Sequence, residues 1–446
     1  MALPTEAEVK KIAERALSFA TAPEVQINLN PARNGNTRFA RNEVSTSGYT
    51  ETFQVVVAAQ YGKKKGVTLT NQVDDASLKV AVERAQELAR LAPDDAETMP
   101  MLGPQKYTER KGSFDDVANL GPEYRSKVAT EAIRNSKAKD LVAAGFIEHV
   151  SDADVIANNK GLFGYQRTTG VHYSLTVRTQ DGSGSGWGGG TANQLALFDP
   201  SSMTARAIDL AMKTQKAVGL EPGNYTAILP AEVVADLASA MAFGFDARQA
   251  DEGRSFMSKA GGGSKLGEKM FSEKVSIVTD PQHPQCPGNT WDQQGLPSRR
   301  LEWIKNGVVT NLNYSRYWAE KQKKEPTPGA VNLIMDGGTA SIDEMVASTK
   351  RGLLLNRIWY VRPVDPQTAL FTGLTRDGLF LIEDGKVTKP VKNFRWNETP
   401  VKMLRNIEMM GPSRRVITSE QDLNSGLFFP SLKVSDFTFS SLSDAV

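Results

Sequence analysis

"YGKKKGVTLTNQVDDASLKVAVERAQELARLAPDD", Tyr61–Asp95, places a hairpin tip directly before an amphipathic helix. "YGKKKG" reads as a turn, and its three lysines as a solvated tip rather than an anion site. After "VTLT", apolar residues recur at Leu78, Ala81, Val82, Ala85, Leu88, Ala89 and Ala92, the i, i+3, i+4, i+7 stripe of one helix face. Asp74 and Asp75 sit where the helix dipole favours negative charge, and Pro93 ends the helix. Strands pairing through a tight turn and then feeding a helix predict an α+β fold with an antiparallel sheet.

The neighbouring sequence extends this reading. "PTEAEVKKIAERALSFA" opens with Thr5 and Glu8 in capping-box spacing. "EVQINLN" is a strand, and residues 37–70 read as several short strands of a meander. Two more helices are expected at "PEYRSKVATEAIRNSKAKD" and "SSMTARAIDLAMKTQKAVG". Between them Val171, Tyr173, Leu175 and Val177 alternate as in a half-buried strand, which runs into a glycine-rich stretch, "GSGSGWGGG". "LEPGNYTAILP" suggests a boundary, giving a helix-plus-antiparallel-sheet domain over 1–220 and a β-rich domain over 221–446. In the latter, helices are expected near 231–244, 341–350 and 399–409, with "KNG" and "EDG" as hairpin turns.

Composition narrows the function classes. The 446 residues carry 53 Lys+Arg against 51 Asp+Glu, a balance that gives no general reason to expect nucleic acid or an anionic membrane as partner. There is one cysteine, Cys286, which fits a reducing compartment. The N-terminus lacks a signal-peptide pattern, and no apolar run reaches the length of a membrane span. A cytoplasmic protein with no membrane partner is expected.

Chemistry-bearing residues are sparse. "HPQC" pairs His283 with Cys286, short of the three or four ligands zinc needs. His172 falls on the polar, solvated side of its strand, and His149 is isolated. Gly184, Gly186 and Gly189 match G-x-G-x-x-G literally, but no convincing helix follows to hold a pyrophosphate, so the stretch reads as a mobile surface loop. Trp187 at its centre is a candidate substrate contact. Ala231–Gly253, "AEVVADLASAMAFGFDARQADEG", is an apolar helix, interrupted by Asp236, that turns abruptly polar. Its polar end offers Asp251 and Arg254 as further candidate substrate-binding residues. Asp246, Asp251 and Glu252 there are a possible carboxylate set for an autonomous hydrolase, with a charged helix end as the plainer reading.

Six phrases, in order, resemble the TldD/PmbA family, also called modulators of DNA gyrase. They are "TRFARNEV" (Thr37–Val44), the Tyr61–Asp95 stretch, "KLGEKMFSEKVSIVTDP" (Lys265–Pro281), "WDQQGLPSRRLEWIKNGVV" (Trp291–Val309), "ASIDEMVASTKRGLLL" (Ala340–Leu355) and "LFLIEDGKVTKPVKNF" (Leu379–Phe394). The resemblance implies a cytoplasmic peptidase system of two related subunits enclosing a chamber for unfolded peptides or leader peptides. In it, TldD-like subunits carry a zinc HExxxH helix and a third, cysteine ligand near the C-terminus; PmbA-like (TldE) subunits lack them. In such a motif the metal acidifies its bound water and the glutamate takes the proton.

The template places the zinc helix between "NYTAILPAEVVADL" and "KLGEKMF". There the chain reads Ala238, Ser239, Ala240, Met241, Ala242, Phe243 and Gly244, with Ala238, Ala242 and Phe243 expected to fill the ligand space. Where the ligand cysteine is expected, "NIEMMGPSRRVITSE" (Asn406–Glu420) has none. The resemblance therefore implies a PmbA-like subunit without zinc or catalytic residues of its own. It would complete a chamber with a TldD-like zinc-bearing paralogue, or with a second copy of itself. A peptide-binding homodimer with no link to proteolysis is the remaining alternative. Direct nucleic-acid binding is not expected.

Overall fold

The computed structural model describes residues 3–420 and 426–443. The N-terminal half contains α1 (Glu6–Ser18), β1 (Glu24–Ala40), β2 (Glu43–Tyr61), β3 (Lys64–Thr70), α2 (Asp75–Leu91), α3 (Asp115–Ala118), α4 (Pro122–Lys137), β4 (Leu141–Asn158), β5 (Phe163–Thr179), β6 (Ser185–Ala192) and α5 (Pro200–Lys213). The C-terminal half contains β7 (Gly223–Leu229), α6 (Ala231–Ala242), α7 (Ala247–Asp251), β8 (Ile277–Thr279), β9 (Leu301–Lys305), β10 (Val308–Val309), α8 (Arg316–Gln322), β11 (Leu333–Met335) and α9 (Ile342–Ala347). It continues with β12 (Arg351–Asp365), β13 (Leu370–Glu383), β14 (Lys386–Pro390), β15 (Phe394–Glu398), α10 (Pro400–Arg405), β16 (Ile407–Val416) and β17 (Leu427–Leu442). The fold is α+β.

β1 to β6 form one antiparallel sheet in the order β3-β2-β1-β4-β5-β6. The capping box at Thr5 and Glu8 forms as the spacing predicts, and Asp74 caps α2 through the Ser77 amide. α1 and α2 bury Val9, Ala13, Leu78, Val82 and Ala85 against Ile27, Leu29, Val55 and Val57; α4 and α5 cover Ile147, Val171, Tyr173 and Leu175. Each strand thus gives alternate residues to one helix-covered face. The meander differs from the sequence reading. Residues 24–61 form two strands of 17 and 19 residues joined at Arg41–Asn42, both in the left-handed region, not several short ones. Leu88 is exposed although it fits the α2 stripe, because it lies at the margin of the face that Leu78, Val82, Ala85 and Ala89 bury completely, and Ala92 is the extended C-cap.

Most of the glycine-rich stretch is strand rather than loop: 182–184 lead in as a turn, Ser185–Gly190 belong to β6, and Trp187 pairs with Thr176 of β5. A Cβ at Gly184, Gly186 or Gly188 would overlap the carbonyl oxygens of Ala211, Ala207 and Met203 on α5. These glycines let a helix backbone lie directly on the sheet.

The second sheet runs β10-β9-β8-β11-β17-β15-β13-β12-β7, with β14 beside β13 and β16 beside β17. Because β7 also pairs with β17, the strands β17-β15-β13-β12-β7 close into a ring. The predicted turns form at Asn306–Gly307 and Asp384–Gly385, all four residues at positive φ. α6 packs against β17, β12 and β16 and is buried on nearly every side from Ala231 to Ala238. An all-round apolar helix belongs in a core; α6 fits this except at two acids.

Candidate functional site

Glu232 and Asp236 lie one turn apart on α6, so their side chains share a face. Both are buried. The Arg414 Nη2 donates to both Glu232 carboxylate oxygens, at 2.8 and 2.7 Å, and Arg206 of α5 adds a weaker contact at 3.7 Å. Asp236 accepts from the Ser419 amide at 3.1 Å and from its hydroxyl at 3.1 Å. The α6 segment and the 414–419 segment, far apart in sequence, are joined through these two acids.

A second tier holds the first. The Arg357 guanidinium lies 4.6 Å from the Trp187 ring and 4.8 Å from that of Trp359, pairs with Asp377 at 3.3 Å and donates to the Ser419 carbonyl at 3.4 Å. Asp377 also accepts from the Ser185 hydroxyl at 2.6 Å. Arg206 donates to Asn356 Oδ1, also at 2.6 Å. The site is therefore a continuous polar knot linking β6 and α5 of the first sheet's layer to α6, β12, β13 and the end of β16.

The two acids respond oppositely to burial. Burial raises the Asp236 pKa to about 7, and the Ser419 hydrogen bonds offset this only in part. Burial opposes ionisation of Glu232 as well, but Arg414 and Arg206 together outweigh it and hold its carboxyl below the usual range. Burial also lowers the Arg357 pKa, against the pull of Asp377 and Asp236.

The residues singled out from sequence take varied positions. Ala238, Met241 and Ala242 line a small apolar cavity of about 70 Å³ with Trp303 and Phe429. Phe243 does not fill ligand space: it is 82% exposed, because a 3-10 turn at Phe243–Phe245 swings it outward as α6 ends. Asp246 caps α7 through the Gln249 amide, Asp251 accepts from the Trp318 indole at 2.8 Å, and Glu252 pairs with both Arg248 and Arg254. Each of these acids is committed to a local structural contact, and they form no shared carboxylate site. Trp187 is 2% exposed, its indole donating to Ser174 and its ring under Arg357, so it positions an arginine rather than sitting in a loop.

The histidines also depart from expectation. His172 is not solvated. Its row on the sheet, Asn36–Glu148–His172–Thr191, lies opposite the helices, and His172 is half-buried there; burial lowers its pKa to about 4, and its Nδ1 has no partner among the described residues. Burial, reinforced by Arg125 and Arg33, lowers that of His149 to about 4. His283 stacks on Phe428, and burial raises the Cys286 thiol to about 11, away from the thiolate that binds metal.

Zinc does not fit this donor set. Among the described residues no three His, Cys, Asp or Glu side chains converge, and the α6 turn ending at Ala242 presents methyl groups and a thioether. What the sequence reading missed is the Glu232–Asp236 pair with its arginines. Two acids four residues apart in an otherwise apolar helix were the available signal.

Three family models cover most of the chain: PmbA/TldA metallopeptidase domain 1 over residues 32–89, the central domain over 106–215 and the C-terminal domain over 222–441. The chain belongs to the TldD/PmbA family. It is similar to a metalloprotease of Methanothermobacter thermautotrophicus, 26% identical over 60% of this chain and 62% of that protein. It is also similar to a metalloprotease TldD homolog of Haemophilus influenzae, 23% identical over 84% of this chain and 81% of that one. The match thus spans somewhat under two thirds of the archaeal relative. The fold is shared with TldE from Thermococcus kodakarensis, with a TM-score of 0.84 at 18% identity, covering 97% of this chain and 99% of that one. It is shared too with a candidate modulator of DNA gyrase from Thermotoga maritima, at 0.83 and 19%, covering 97% and 100%.

Proposed function

We propose that this TldD/PmbA-family chain is a TldE-like, non-catalytic subunit that completes a peptide chamber for a metal-bearing, TldD-like partner. One observation carries the reading. The α6 segment that the family resemblance marks for zinc ligands packs Ala238, Met241 and Ala242 against Trp303 and Phe429, and its acids are spent on Arg414 and Ser419. Such a helix supports a scaffold and supplies no water-activating centre. The metallopeptidase family and the metalloprotease names of the relatives support a role in proteolysis. Main-chain recognition at strand edges suits substrates of varied sequence.

The test is co-purification with a TldD-like paralogue from the same cell, with metal content and peptide cleavage measured for each subunit and for the mixture. The expected result is a stable complex, metal in the paralogue alone, and cleavage that depends on both chains. A paralogue that cleaves equally well without this chain, or peptide cleavage by this chain alone, defeats the proposal.

A further inference from the structure

A cleft of about 460 Å³ opens beside the Glu232 knot, within the usual size range of ligand sites. One wall is the β6 backbone from Gly189 to Ala192, and another is the first two turns of α5, with Asp199, Ser202, Met203 and Arg206. Glu232, Gln285, Arg414 and Arg415 complete it.

Its charges are unevenly satisfied. Glu232 is held by Arg414 and Arg206, and Asp199 caps α5 through the Ser202 amide at 3.0 Å. Arg415 is different. Its Nε and Nη1 are buried and have no hydrogen-bond partner among the described residues. The nearby charged residue Arg110 is itself a cation, and the neighbouring Cys286 thiol is kept protonated by burial. A buried guanidinium with unused donors costs free energy unless something accepts from it. Burial depresses the Arg415 pKa, as expected for a charge lacking a counter-ion.

We propose that this cleft is a carboxylate-binding subsite for an extended peptide, with Arg415 as the group that receives the carboxylate. A planar carboxylate matches the fork of a guanidinium. β6 is the last strand in the order of its sheet, and main-chain pairing along it suits a peptide of varied sequence. The inference rests on the peptide-chamber reading and adds to it a substrate feature: the carboxylate is either the peptide's C-terminus or an acidic side chain.

Isothermal titration calorimetry on the full chain, with its partner if the two co-purify, tests this with three N-acetylated decapeptides built on one neutral sequence. The first has a free C-terminal carboxylate, the second a C-terminal amide, and the third an amide and one internal glutamate. The expected result is at least tenfold tighter binding of the first or the third peptide than of the second, the preferred one identifying the carboxylate's source. Arg415→Gln is expected to remove that preference, and Arg415→Lys to retain part of it. Equal binding of all three peptides overturns the subsite and leaves the chamber reading standing, whereas binding of none overturns both. A preference that survives Arg415→Gln also overturns the subsite. If Arg415→Gln does not fold, the comparison among the three peptides on the unaltered chain still decides.

Discussion

Asp236 is a buried acid whose ionisation opposes the fold. A carboxyl whose pKa is near 4 when unfolded and about 7 when folded binds more protons in the native state across that window. Stability from this group is therefore full below about pH 4, falls as the pH rises toward 7, and stays low above it. The shift corresponds to at most about 4 kcal/mol. Asp236→Asn keeps an acceptor for the Ser419 amide and offers a donor to its hydroxyl, without the charge. Urea unfolding is expected to show the variant more stable than the parent at pH 8, with the difference vanishing toward pH 4. Equal stability at both pH values would show that Arg357 and Ser419 fully offset the desolvation. Glu232 behaves differently because Arg414 and Arg206 face it directly, and both have a route to solvent, with side chains 48% and 38% exposed.

At the scale of elements, β6 and α5 are one unit. The glycine spacing along β6 places a bare backbone under successive turns of α5, and the helix sits too close for any side chain there. Gly188→Ala is expected to lose about 3 kcal/mol or more, the upper range for overpacking, because the obstruction is the Met203 main chain and not a flexible side chain. Gly170→Ala is the control: nothing lies near its added Cβ, and a change within about 0.5 kcal/mol is expected. Equal losses in the two variants would remove close packing as the reason for these glycines. α6 makes the complementary point. It has no side-chain cap hydrogen bond at its start and is held by burial against β12, β16 and β17, not by local signals.

Across the whole molecule the acid response is a sum of opposing parts. His149 and His172 are held neutral in the folded state with pKa values of about 4, whereas the unfolded chain protonates them near 6.5. Their contribution is full above about pH 6.5 and is lost as the pH falls through 4, up to about 3 kcal/mol each. Asp236 gains in the same direction and softens the loss. His172→Gln is expected to flatten the decline in thermal midpoint between pH 7 and pH 4.5, and an unchanged decline would show that His172 is not the buried group responsible. Both histidines lie in the first sheet, His172 on the face opposite its helices. Contacts such as Gln166 with Thr290 and Tyr107 with Gly295 tie that face to the second half of the chain.

The elements with a strong local period were legible in sequence: the α1 capping box, the α2 stripe, the Val171–Val177 alternation and both Gly-containing hairpin turns depend on neighbours a few residues away. That Ala231–Phe245 contains no histidine was equally legible, since it is a matter of residue identity. Ring closure through β7 and β17, the strand state of Ser185–Gly190, the half-burial of His172 and the outward turn of Phe243 were not. Each depends on what packs against the segment from far along the chain. The same holds for the site: Glu232 meets Arg414, and Asp236 meets Ser419, across more than 180 residues. Sequence determined which chemical groups this protein has and where its local turns and helices begin; only the tertiary structure decided which groups meet away from water, because burial and long-range pairing are properties of the packed chain.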